Sequence, residues 1–141
     1  MMNLAINEAK KSGMDISIGA VIVKNGKVIA SRHNEKELTK DVTGHAEILA
    51  IREAEKVLNN WRLDDCELYV TLEPCPMCAW AILQSRIKTI YFGSYDPNYG
   101  AFGSKIDLRN LTGNNTKVYG GIMEEECDFL LKDYFDKIRN N

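Results

Sequence analysis

The chain has 141 residues, of which 45% are hydrophobic and 27% charged, so we expect one globular domain over residues 1–141. Its 18 basic and 20 acidic residues leave a net charge of −2, which argues against a strongly basic nucleic-acid-binding protein but permits a local basic patch. The sequence has no signal peptide and no apolar run of about 18 residues, so we expect a cytoplasmic protein without a membrane segment.

The apolar patterns predict helices and strands that alternate along the chain, as in an α/β layered domain. Asn25-Gly26 strongly favours a two-residue hairpin turn. Thr43 is a residue type that caps helices, and Asn59-Asn60 should end the helix that begins after Thr43. The expected elements, in chain order, are a helix over 3–11, strands over 18–23 and 27–31, a polar loop over 32–42 that contains His33, a helix over 43–58, a strand over 67–72, a helix over 75–85, a strand over 89–92, a loop over 94–104, a strand over 116–119 and a helix over 123–138.

The stretch from Glu73 to Cys78 contains two cysteines three positions apart. On a helix, Cys75 and Cys78 would lie about 60° apart around the axis, so their sulfurs would share one face near the helix start. The positive end of a helix lowers thiol pKa values and prepares both sulfurs for a metal ion. Taken alone, the pair also fits a redox pair or half of a structural zinc site. Cys66 and Cys127 lack metal-ligand spacing and are expected to be core thiols.

A histidine and a glutamate, His45 and Glu47, precede Cys75 by about thirty positions. Together with the cysteines they match H-x-E…P-C-x-x-C, the signature of zinc nucleobase deaminases. His45, Cys75 and Cys78 would supply three zinc ligands and leave the fourth position for water, whose pKa zinc lowers to roughly 7. Residues two apart on a helix point about 200° apart, so we expect Glu47 to be a general acid/base, a role worth ~10²–10⁴ in rate, and not a ligand.

With these motifs the sequence resembles the bacterial tRNA adenosine deaminases of the cytidine-deaminase-like superfamily over nearly the whole chain. The similarity is strong in His45-Ala46-Glu47-Ile48-Leu49-Ala50 and Thr71-Leu72-Glu73-Pro74-Cys75-Pro76-Met77-Cys78. The resemblance implies a three-layer α/β/α fold with a central five-stranded mixed sheet, a homodimer, one Zn²⁺ per subunit, and hydrolysis of adenosine to inosine at the wobble position of a tRNA anticodon loop. By position, it implies the metal ligands His45, Cys75 and Cys78, the proton shuttle Glu47, and substrate contacts from Asn34, Ala46 and Asp96.

Two departures from the family pattern keep other functions open. Glu35 stands where the family usually has a basic residue, and residues 111–117 are shorter and lack the family's Asn-His-Arg segment. Because phosphate contacts dominate RNA affinity, these departures favour a deaminase of a free nucleobase or nucleoside, such as guanine, cytosine or a modified purine. The expected substrate contacts favour tRNA instead. A third hypothesis is a non-catalytic, zinc-stabilised RNA-binding module, against which Glu47 argues because a structural site needs no proton shuttle.

Overall fold

A computed structural model describes residues 1–140, in which five strands form one sheet with helices on both faces. No helix in this range is both long and apolar enough to span a membrane. The elements are α1 (Met2–Ala9), β1 (Gly19–Lys24), β2 (Lys27–His33), α2 (Lys36–Thr39), α3 (Ala46–Leu58), β3 (Cys66–Leu72), α4 (Pro76–Gln84), β4 (Thr89–Ser94), a short 3₁₀ helix (Leu108–Leu111), β5 (Lys117–Tyr119) and α5 (Glu124–Arg139).

The strands are ordered β2-β1-β3-β4-β5 across the sheet. Strand β1 pairs antiparallel with both β2 and β3, whereas β3, β4 and β5 are parallel, which confirms the predicted mixed five-stranded sheet. Since β1 runs opposite to its two neighbours, the carboxyl ends of β2, β3 and β4 all lie at one edge of the sheet. Segments that follow these three strands therefore meet at that edge.

Alternate side chains of β1 pack on opposite faces of the sheet, as strand geometry requires. Ala20 and Ile22 belong to the larger core, which includes apolar residues of α3 and α4. Val21 and Val23 belong to the smaller core, which includes residues of α1 and α5. The protein therefore has the predicted three-layer α/β/α architecture.

Several local predictions are confirmed. Asn25 and Gly26 have φ values of 51° and 76°, the left-handed pair that a two-residue hairpin turn requires. Asn59 ends α3 with a left-handed backbone, φ 51°. Cys66 and Cys127 are both fully buried.

The predicted polar loop over 32–42 is wrong in two places. Strand β2 continues to His33, which pairs with Gly19 of β1, and Lys36–Thr39 form one short helical turn. Backbone pairing across the sheet therefore extends β2 beyond its apolar run. Thr43 does not cap α3; its hydroxyl donates to Asp41 at 2.7 Å, while His45 occupies the N-cap position.

His33 belongs to a cluster of polar side chains that links α1 to the end of β2. Glu8 is buried, and its carboxylate lies 2.7 Å from His33 Nδ1 and accepts hydrogen bonds from Ser31 Oγ (3.2 Å) and Lys11 Nζ (3.1 Å). Burial alone would raise the pKa of Glu8, but these hydrogen bonds, chiefly those of His33 and Lys11, hold it below its usual value. The cluster fixes the strand end from which Asn34 follows.

We expect Glu8→Gln to lower the free energy of unfolding by about 1–3 kcal/mol at pH 7, because it removes charge-assisted hydrogen bonds. A depressed folded-state pKa stabilises the fold above the unfolded pKa of about 4.3, and this stabilisation is lost as pH falls through the folded pKa. Urea unfolding at pH 7 and near pH 4 should therefore show the difference between wild type and variant shrinking with acid. The exposed Glu125, as Glu125→Gln, is the control; an equal effect there would contradict the prediction.

Candidate active site

Three potential metal ligands converge at the edge where β2, β3 and β4 end. The donor atoms of His45, Cys75 and Cys78 all lie within 4.8 Å of one another. His45 Nδ1 is 3.8 Å from Cys75 Sγ and 3.5 Å from Cys78 Sγ. A tetrahedral zinc with bonds of about 2.3 Å to sulfur and about 2.0 Å to nitrogen separates neighbouring ligands by roughly 3.5–3.8 Å. The type and spacing of these donors therefore fit zinc.

The starts of two helices place these donors. His45 and Cys75 are the N-cap residues of α3 and α4, with extended backbones (ψ 145° and 171°), and Cys78 lies in the first turn of α4. The spacing predicted that Cys75 lies within the helix; it stands instead just before the helix, at the N-cap position. Pro76 can begin α4 because the first helical position has no intrahelical partner for an N–H. Both helices direct their positive ends toward the sulfurs.

The two cysteine sulfurs differ in their tendency to ionise. A hydrogen bond from Cys78, with help from His45, lowers the pKa of Cys75 to about 4. The pKa of Cys78 is raised, first by donating to Cys75 and then by burial. The pKa of His45 is also raised, chiefly by its hydrogen bond with Cys75. The thiolate of Cys75 attracts a cation, and a metal ion that binds here would displace the protons of Cys78 and His45.

Glu47 is the one predicted catalytic residue. It is the second residue of α3, is only 4% exposed, and lines the same cavity as His45 and Cys75 without belonging to the group of potential ligands. Burial raises its pKa to about 7. A carboxyl group with such a pKa can both accept and donate a proton near neutral pH.

The cavity has a volume of about 500 Å³ and brings two of the three expected substrate contacts together. Asn34 and Asp96, which follow β2 and β4, line its wall. Asn34 Oδ1 accepts the N–H of Ala46 at 2.8 Å, which fixes the amide and leaves its NH₂ group available to a ligand. Ala46 itself is fully buried and is not among the described residues that line the cavity, in contrast to the expectation.

Sequence reasoning missed several residues that line the cavity. Lys36, Tyr99, Tyr134 and Phe135 contribute to its wall, from α2, the loop after β4 and the end of α5. Tyr134 also donates its hydroxyl hydrogen to the carbonyl oxygen of Met14 at 3.1 Å, which ties α5 to the segment before β1. The aromatic pair near the end of the last helix was a signal in the sequence, but only the fold brings it to the cavity.

The two departures that favoured a free-base substrate lie away from the cavity lining. Glu35 pairs with Arg32 (2.9 Å) and lies 3.4 Å from His33 Nε2, and the adjacent Lys36 lines the cavity instead. Asn114 donates to the Leu83 carbonyl at 2.8 Å, near the amino ends of β4 and β5 and thus at the opposite edge of the sheet. Neither departure therefore removes a positive charge from the cavity.

Comparisons with known proteins agree with this geometry. A tRNA-specific adenosine deaminase of Bacillus subtilis is 44% identical over 142 residues, which cover 98% of this chain and 88% of that protein. A solved structure from work on A-to-I editing by tRNA:A34 deaminases at the wobble position of transfer RNA has a TM-score of 0.85 and 42% identity, and covers 92% of this chain and 97% of that one.

A guanine deaminase structure from Bacillus subtilis is also similar, with a TM-score of 0.65 and 42% identity over 67% of this chain and 62% of that one. The profile of the MafB19-like deaminase family matches residues 1–139. The sheet, the cavity and the full-length similarity lead to the same assignment: the chain belongs to the MafB19-like deaminase family, among the relatives of the bacterial tRNA-specific adenosine deaminases.

Proposed function

We propose that this deaminase is a zinc-dependent hydrolase that converts adenosine to inosine at the wobble position of a tRNA anticodon loop. The observation that carries the proposal is the convergence of His45, Cys75 and Cys78 beside a cavity that Glu47 also lines. We assign these three donors as the ligands of one Zn²⁺ per subunit. We assign Glu47 as the general acid/base, and Asn34 and Asp96 as substrate contacts.

The reaction requires a carbon–oxygen bond to form and a carbon–nitrogen bond to break at C6 of adenine. Bound zinc would make a water molecule nucleophilic at neutral pH. Glu47 would accept a proton from that water and deliver it to the departing amine, which leaves as ammonia. The free NH₂ group of Asn34 would donate a hydrogen bond to a ring acceptor and hold the purine in the cavity.

The cavity carries one basic side chain for contact with an RNA backbone, together with the acidic residues Asp15, Glu37, Glu47, Glu73 and Asp96. Lys36 is the only lysine or arginine among the described residues that line it. A cation at this position can meet a phosphate of the target strand. Because a stacked base cannot reach such a cavity, the target adenosine would be unstacked in a loop. The similarity to a guanine deaminase keeps a free purine as the second candidate substrate.

Purified protein should be incubated with an anticodon stem-loop that carries a wobble adenosine and, in separate reactions, with adenosine, guanine and cytosine. The products should be identified by mass spectrometry. We expect inosine in the stem-loop alone, and none in a matched stem-loop with guanosine at the wobble position. Conversion of a free base or nucleoside with the RNA untouched would overturn the RNA assignment and support the second candidate.

We further propose, from the resemblance to the family, that residues 1–141 form one domain that acts in the cytoplasm as a homodimer. Met77 and Trp80, on the outer side of α4, are exposed large apolar side chains and are candidates for a contact between subunits.

Replacement of a sulfur ligand should remove the metal. We expect Cys75→Ala to lower zinc from about one ion per chain to a small fraction, as read by elemental mass spectrometry, because two donors hold zinc poorly. Cys66→Ala is the matched control, since Cys66 is buried but lies outside the ligand group, and it should keep its zinc. Full metal occupancy in Cys75→Ala would rule out this ligand.

Replacement of the proton shuttle should abolish turnover and leave the metal in place. We expect Glu47→Gln to lower kcat by about 10²-fold or more, because the amide has nearly the same shape but cannot carry the proton. Zinc content should equal that of wild type. Glu55→Gln, further along α3 and away from this cavity, should keep both activity and zinc; an active Glu47→Gln enzyme would refute the assignment.

Loss of the cavity cation should weaken RNA binding in a salt-dependent way. We expect Lys36→Gln to raise KM for the stem-loop about 3- to 10-fold and to reduce the slope of log KM against log salt concentration by about one. Lys88→Gln, at the opposite edge of the sheet, should leave both quantities unchanged. Equal effects of the two substitutions would show that Lys36 acts only through net charge.

A further inference from the structure

Glu73 is a buried carboxylate at the end of β3 whose role the ligands and the proton shuttle do not explain. It is 2% exposed and stands two residues before Cys75, yet it does not belong to the group of potential metal ligands. Burial of a carboxylate is costly unless hydrogen bonds compensate for the lost water. Its partners therefore indicate what it does.

All four hydrogen bonds that Glu73 accepts come from one segment, residues 95–104, which we call the mouth loop. Oε1 accepts from the Asp96 N–H at 3.1 Å and from the Ser104 hydroxyl at 2.5 Å. Oε2 accepts from the N–H groups of Phe102 and Ser104, both at 3.1 Å. The loop thus wraps around a single carboxylate.

Backbone hydrogen bonds also hold the mouth loop, and the end of β4 that precedes it, against the end of β3. The Ala101 N–H donates to the Pro74 carbonyl at 2.9 Å, and the Glu73 N–H donates to the Ser94 carbonyl at 2.8 Å. A Cβ at Gly100 would lie 2.4 Å from the Glu73 carboxyl carbon, so only glycine allows this approach. The loop, the carboxylate and the turn that carries Cys75 therefore form one closely packed unit.

The mouth loop supplies part of the cavity wall. Asp96 and Tyr99 line the cavity together with Cys75 and Glu73 itself. Asp96 Oδ1 accepts the N–H groups of Asn98 (3.0 Å) and Tyr99 (3.1 Å), so the position of Asp96 sets that of Tyr99 as well. Whatever fixes the backbone of Asp96 fixes this wall relative to the metal ligands.

We propose that Glu73 is a positioning residue, whose carboxylate holds the mouth loop so that Asp96 and Tyr99 face the target nucleoside at a fixed distance from the ligand Cys75. The inference rests on the proposed function, because it concerns the substrate of that same site. Glu73 touches neither substrate nor metal in this role. It acts through the loop, which makes it a determinant of substrate binding.

Only a carboxylate can satisfy these donors. In Glu73→Gln, an NH₂ group placed at Oε2 would face the N–H groups of both Phe102 and Ser104, and one placed at Oε1 would face that of Asp96. Either orientation leaves a backbone donor without an acceptor. The substitution should therefore loosen the mouth loop while it preserves the shape of the side chain.

The test is steady-state kinetics of Glu73→Gln on the wobble-adenosine stem-loop, with zinc content measured on the same samples. We expect KM to rise about tenfold, kcat to change less than about threefold, and zinc to remain at the wild-type level. Ser104→Ala, which removes one donor of the four, should raise KM about two- to fivefold. Glu67→Gln is the matched control, because Glu67 lies at the other end of β3 and accepts only from the Tyr91 hydroxyl among the described residues.

An unchanged KM in folded, zinc-loaded Glu73→Gln would overturn the proposal, as would loss of zinc with normal loop structure. If Glu73→Gln fails to fold, an unchanged KM in Ser104→Ala overturns it. Hydrogen exchange read by mass spectrometry supplies an independent readout: the amides of residues 95–104 should exchange faster in Glu73→Gln than in Glu67→Gln. This comparison tests whether Glu73 holds the mouth loop, whether or not the protein deaminates the stem-loop. If the wild-type protein leaves the stem-loop unmodified, the proposed function fails independently of the role of Glu73.

Discussion

The pairing of β1 is the constraint on which the site depends. Because β1 runs antiparallel to both β2 and β3, and β4 runs parallel to β3, three strands deliver their carboxyl ends to one edge. Asn34, Cys75 and Asp96 each follow one of these ends, although more than sixty positions separate the first from the last. A change of register between β1 and either neighbour would move Asn34 relative to Cys75 and Asp96, whose own relation depends on the pairing of β3 with β4.

The same edge receives the starts of α3 and α4. His45 and Cys75 occupy equivalent N-cap positions, so an imidazole and a thiol meet where two helices present their positive ends. Asn34 Oδ1 accepts a hydrogen bond from a backbone N–H in the first turn of α3. It thus caps an N–H that has no partner within the helix, the role expected of Thr43. One side chain thus both stabilises the start of the helix that carries His45 and Glu47 and lines the cavity.

Local signals predicted the alternation of helices and strands and the donor set, whereas the three layers and the five-stranded mixed sheet were predicted only from the resemblance to the family. The hairpin at Asn25-Gly26, the apolar strand runs and the spacing of His45, Cys75 and Cys78 depend on neighbours in the sequence. Glu73 could not be predicted in this way, because its four donors come from residues 96–104, far along the chain. The extension of β2 to His33 likewise depends on its pairing with Gly19 and on the carboxylate of Glu8.

Substrate choice illustrates why charge must be judged in three dimensions. Glu35 replaces a basic residue of the family, and its charge alone would oppose a phosphate, but its side chain pairs with Arg32 outside the cavity lining. Lys36, one position later, is the first residue of α2, and its cation lines the cavity. A single step along the chain therefore separates a carboxylate outside the cavity lining from a lysine within it, where carboxylates such as Glu37 and Asp96 also lie. The charge at this point of the cavity wall therefore depends on which side chain the fold turns toward the cavity, and not on which residue aligns with the family.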